Sequence, residues 1–188
     1  FPDWSQGDIE MQGYSGATLQ QVVDKLFVPP PTEQVGRESS SSSEDELLMV
    51  VICAGENDVG NGLEVEDSLD AMDKLLEKTT SRRLFYHLIF LGPKFEPWLS
   101  DDTSSRKHYI KLSKGLRRRC DGHHKMMVTF VDCLTMFCGE SANVPGAVLG
   151  GRAKADPKYF ATDQLHLSDE GYRVWKQVIE TELCKHPS

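Results

Sequence analysis

Apolar residues recur along the chain with two different periods, and the alternation between them predicts the architecture. Leu19, Val22, Val23, Leu26 and Phe27 fall at i, i+3, i+4, i+7 and i+8, the stripe of an amphipathic helix that Pro29 to Pro31 brings to an end. "LLMVVICAG", Leu47 to Gly55, is instead an unbroken apolar run with β-branched residues and a glycine exit, which predicts a strand buried on both faces. Val65, Leu69, Met72, Leu75 and Leu76 then return to a helical stripe. The pattern repeats, with strands expected over Leu84 to Pro93 and Met126 to Cys133, and helices over Ser104 to Cys120 and Asp169 to Leu183. A shorter strand is expected to end near Tyr14, within Asp8 to Tyr14. Buried strands alternating with amphipathic helices predict an α/β protein, a three-layer α/β/α sandwich around a mostly parallel sheet.

The 188 residues suit a single domain over residues 1–188, large enough to bury a core without metal or disulfide staples. Residues 29–46, which include "ESSSSSEDE", interrupt the pattern with Pro, Ser and acidic residues and read as a solvated loop insertion. Serines followed by acids also fit an acidophilic kinase site. A net charge of −8 disfavours general affinity for nucleic acid or anionic membranes and leaves small molecules as the expected partners. No run is long enough to span a bilayer and no Asn-x-Ser/Thr acceptor occurs. Five cysteines match neither a zinc motif nor a CxxC pair, so reduced thiols in a cytoplasmic protein are expected, with a Cys133–Cys138 bridge as the alternative.

In parallel sheets, ligands bind beyond the carboxyl ends of the strands, so the loops after strands carry the chemistry. "GYSGAT" places Gly16 just before a helix, where its N–H could stabilise an anion; the alternative is a glycine required by a sharp turn. "GENDVG" offers Asn57, a neutral amide donor at a strand exit, or else a self-contained Asx turn. "DQLHLSDEG" sets Asp163 three residues before His166, a spacing that lets the carboxylate orient the ring; a turn former beside a polar histidine is the alternative. Ser168 is expected to cap the next helix and so fix that loop. Ser15 does not fit the G-x-S-x-G nucleophile elbow. The basic run Lys114 to Lys125 reads as a solvated helix end, and adjacent His123 and His124 make a poor metal site. Trp4, Trp98 and Trp175 read as packing residues, although Trp98 follows a strand exit near the expected cleft. The small-residue segment Phe137 to Pro157 is a candidate pocket wall.

These three motifs, in this order, resemble those of the SGNH (GDSL-type) hydrolases over nearly the whole chain. "GYSGAT" is similar to block II, "GENDVG" to block III, and "DQLHLSDEG" to block V. The resemblance implies a flavodoxin-like sheet of order 2-1-3-4-5 and a serine esterase that needs no cofactor. Its expected site pairs Asp163 and His166 as catalytic residues with Gly16 and Asn57 as the oxyanion hole. Block I, the Gly-Asp-Ser run that supplies the nucleophile, does not occur in the sequence. The expectation is therefore that an N-terminal segment with the first strand is absent, leaving the chain as printed incomplete, unstable and inactive. An acyltransferase, a non-catalytic ligand-binding member of the fold and a flavodoxin-like nucleotide binder are the rival readings; the last lacks a Gly-rich phosphate loop.

Overall fold

The computed structural model describes residues 12–27, 48–82, 85–100, 103–138 and 154–185. The loop insertion expected over 29–46, the segment Asp8 to Met11, Trp4 and most of the expected pocket wall lie outside these residues. Gln12 to Tyr14, where the first strand was expected to end, are not in a strand.

Helix α1, Leu19–Leu26, begins at Thr18, whose hydroxyl accepts the Gln21 N–H while the Gln21 side chain accepts the Thr18 N–H. This reciprocal cap satisfies two donors the helix cannot satisfy internally. Leu19 and Val23 of the predicted stripe are buried, and Val22 and Leu26 pack partly against the same core. Strand β1, Leu48–Cys53, leads into the short helix α2, Glu56–Gly60, and the long helix α3, Val65–Arg82. Every residue of the predicted α3 stripe is buried. Strand β2, Phe85–Leu91, is followed by a 3-10 turn at Pro97–Ser100 and helix α4, Thr103–Gly122. Strand β3, Met127–Val131, runs into helix α5, Cys133–Met136, and the chain closes with helix α6, Asp169–Lys185.

The three strands form a parallel sheet in the order β1-β2-β3. Alternate residues of β2 feed two separate cores. Leu88 and Phe90 join α1, α3 and α4, whereas Ile89 and Leu91 join α5, the 154–168 loop and α6. Helices thus cover both faces, as the apolar runs predicted. β1 departs from that expectation: Ile52 is buried, but Val51 is 42 % exposed. Among the described residues β1 has only β2 as a neighbour, so it lies at an edge of the sheet. Central β2, by contrast, is buried along its length from His87 to Leu91.

Register decides where the loops emerge. Cys53 pairs with Leu91, and Leu91 with Val131, so all three strands end level and their exits share one edge of the sheet.

Phe90 is fully buried and stacks on Phe130 at 6.4 Å between ring centroids. Phe90→Ala is expected to destabilise the fold by about 3–5 kcal/mol, read as a lower midpoint in urea denaturation.

Candidate active site

The Asp163–His166 pair sits on a tight hairpin. Phe160 and Leu167 form an antiparallel bridge, and Ala161 N–H donates to His166 O at 2.8 Å, bringing the loop's two ends together. Gln164, at φ 57°, completes the turn in the left-handed region, which costs a non-glycine residue roughly 1 kcal/mol. Asp163 fills its acceptor positions within the loop. Oδ1 accepts the N–H groups of Leu165 and His166, each at 2.9 Å, and Oδ2 accepts His166 Nδ1 at 2.7 Å. An ionised carboxylate has no proton to give, so Nδ1 carries the hydrogen, and in the neutral ring Nε2 is then the nitrogen that bears the lone pair. Both side chains are open to solvent.

Three donors on one carboxylate hold Asp163 well below the usual carboxylate range. The His166 hydrogen bond is the largest cause, followed by the two backbone N–H groups. A depressed folded-state pKa contributes stability that is complete above the unfolded value, near 3.9, and lost as the pH falls through the folded one. The contact therefore persists through the weakly acidic range.

The hairpin is anchored on both sides. Ser168 accepts the Gly171 N–H at 3.2 Å as the expected cap of α6, and its hydroxyl donates to Lys158 O at 2.6 Å. Gly171 is required by close approach: a Cβ there would lie 2.2 Å from the Tyr159 carbonyl oxygen. Phe137, fully buried just past α5, packs edge-on against Tyr159, Phe160 and Trp175 at 5.8, 5.9 and 6.1 Å. Asp156 N–H also donates to Phe137 O at 2.8 Å. The loop is thus fastened to the segment that leaves β3.

Gly16 and Asn57 form a second pair. Gly16, at φ 69°, is exposed with no atom near its missing Cβ, so backbone conformation rather than space calls for glycine. It lies two residues before the Thr18 cap, just ahead of α1 as the sequence predicts. The Asn57 side chain donates to Ala17 O at 3.0 Å, joining "GENDVG" to the Gly16 turn. The Asx-turn alternative fails here, because residues 56–60 are helical and the Asn57 bond is long-range. No hydrogen bond joins the two pairs to each other.

Sequence reasoning assigned no role to Asp58, the residue beside Asn57 at the same strand exit. Only 2 % exposed, it accepts Leu19 N–H at 2.8 Å and the Ser68 hydroxyl at 2.7 Å, tying α2 to α1 and α3. Its position beside Asn57 was the available signal, and turn propensity concealed it.

The other candidates fall into structural roles. Trp98 is 37 % exposed, with its ring edge-on to Tyr109 at 6.1 Å, and Trp175 packs in the second core. Arg117 and Arg119 pair with Asp132 and Asp73, and His123 Nε2 meets the Thr80 hydroxyl at 3.0 Å. Among the described residues no group of three metal-ligating side chains converges and no helix is long and apolar enough to cross a membrane. Cys133 and Cys138 are free thiols rather than a bridge. Burial pushes the thiols of Cys120 and Cys138 up to about 12, so neither serves as a thiolate nucleophile at neutral pH.

Comparison with known proteins decides the family. The profile of the GDSL-like Lipase/Acylhydrolase family matches residues 3–174. The chain belongs to that family. At this level it is a hydrolase of ester bonds on the SGNH fold, and the match spans all three sequence motifs. Among solved structures, one described as "a putative platelet activating factor from Streptococcus pneumonia" superposes with a TM-score of 0.63 at 15 % identity, covering 89 % of this chain and 69 % of its own. At that identity the likeness speaks for the fold. A search of curated proteins returned no match.

Two measurements probe the hairpin. The Asp163 side-chain carboxyl carbon is expected to titrate below the usual aspartate range by NMR, and His166→Ala to move its midpoint upward. Gly171→Ala is expected to cost about 1–3 kcal/mol in thermal or urea unfolding, because backbone has to shift to admit the methyl group.

Proposed function

We propose that the protein is a serine esterase working through an acyl-enzyme, with His166 as general base and Asp163 as its orienting partner. The 2.7 Å Asp163–His166 contact carries the reading, because it orients the ring and selects the neutral tautomer whose free lone pair is on Nε2. In this reading a serine hydroxyl equivalent to that of the family's block I gives its proton to Nε2 as its oxygen attacks the ester carbonyl. Negative charge then develops on the carbonyl oxygen. The Gly16 N–H and the Asn57 amide are the proposed donors to it, together with the serine's own N–H. Asn57 has a second amide hydrogen beyond the one given to Ala17 O, so it can hold the turn and still reach an oxyanion. Collapse of the tetrahedral intermediate expels the alcohol, which takes the proton from His166. A water deprotonated by the same ring hydrolyses the acyl-enzyme and restores the serine.

The substrate class is a small carboxylic ester. Acyl length and alcohol are set by pocket shape, which the motifs do not specify. His166→Ala and Asp163→Asn are each expected to lower kcat for p-nitrophenyl acetate by roughly 10²–10⁴-fold. Folding should change little, since both side chains are exposed. Undiminished turnover in either variant would remove the assignment.

A further inference from the structure

Between the exits of β1 and β2 lies a buried charged cluster of which only Glu56 belongs to one of the three motifs. Lys94, 6 % exposed, donates through Nζ to Glu56 Oε2 and, at 2.9 Å, to Glu96 Oε1. Its backbone N–H donates to Glu56 Oε1 at 2.9 Å, so one residue engages both oxygens of the Glu56 carboxylate. Glu96 is fully buried, and its Oε2 accepts Trp98 Nε1 at 2.6 Å and the Tyr109 hydroxyl at 3.4 Å. Burial works against the charge on Lys94, but the two carboxylates outweigh it and raise its pKa.

Glu56, Asn57 and Asp58 open α2, a helix of five residues that is too short to stand by its own hydrogen bonds. Each reaches a different segment. Glu56 is held by the loop after β2, Asn57 bonds the turn after Gly16, and Asp58 bonds α1 and α3. Removing Lys94 would free Glu56 while leaving the Asp58 anchor in place, so α2 could pivot and carry Asn57 with it. Buried ion pairs are a poor source of stability compared with apolar packing, whereas their directional contacts define position well.

We infer that Lys94 is a positioning residue: by clamping Glu56 it fixes the Asn57 amide against the Gly16–Ala17 turn. The consequence for catalysis rests on the esterase reading; the coupling between Lys94 and Asn57 does not.

The test uses Lys94→Met. The side-chain amide signal of Asn57, assigned by its loss in Asn57→Ala, is expected to shift and to exchange faster with solvent. Lys111→Met, which breaks only an exposed contact with Glu66, should leave that signal in place. With p-nitrophenyl acetate, kcat should fall about tenfold with KM changed less than about twofold, because a displaced oxyanion donor is felt mainly in the transition state. In an Asn57→Ala background, Lys94→Met should cause no further loss. Glu56→Gln, which keeps side-chain volume at a partly exposed position, is the second variant and should move the same amide signal if Lys94→Met does not fold. An unchanged Asn57 signal in a folded variant, or additive losses in the double variant, overturns the inference. Absence of ester hydrolysis in the unsubstituted protein, with the amide signal still coupled to Lys94, removes the esterase reading and leaves the positioning role standing.

Discussion

At 2 % exposure, the carboxylate of Asp58 has exchanged water for two protein donors, the first N–H of α1 and the hydroxyl of Ser68 on α3. Desolvating a carboxylate costs several kcal/mol, so this site is tolerable only while both donors stay in place. The N-terminal end of α1 also supplies a favourable dipole. The approach of α2 to the Gly16 turn follows from that constraint, since α1 begins just after the turn and Asn57 precedes Asp58 in the chain. The Gly16 and Asn57 half of the candidate site is thus built on a buried electrostatic contact.

The histidine half is built differently. Asp163 and His166 stand in solvent, where such a side-chain contact adds little to stability. Their order comes from the backbone: two N–H groups on Asp163 Oδ1, the Phe160–Leu167 bridge and the Ser168 cap. Apolar packing of Tyr159, Phe160 and Trp175 on Phe137 then seats the hairpin beside the end of β3. Asn57 follows the exit of β1 and the hairpin packs on the segment that leaves β3, exits that share one edge of the sheet; among the described residues no hydrogen bond joins the two pairs.

Periodicity and capping chemistry made the large elements readable. The stripes of α1, α3, α4 and α6 are long enough to average out local exceptions, and the apolar runs of β2 and β3 match strands. The Asp163–His166 contact was readable because three residues of separation restrict two side chains to one turn. Asp58, Lys94 and Glu96 were not, since their partners lie on other elements and a single sequence carries no record of long-range pairing. α2 and α5, at five and four residues, are too short to show a period. The exposure of Val51 was concealed for a related reason: an apolar run identifies a strand without counting its neighbours.

Phe137 gives the site a thermal character. The hairpin's internal hydrogen bonds are polar contacts, whereas its attachment to the sheet depends largely on aromatic surface withdrawn from water. Hydrophobic attachment carries a large heat capacity and weakens on cooling. In the cold, the imidazole keeps its carboxylate while the whole hairpin rides more loosely on the body beneath it.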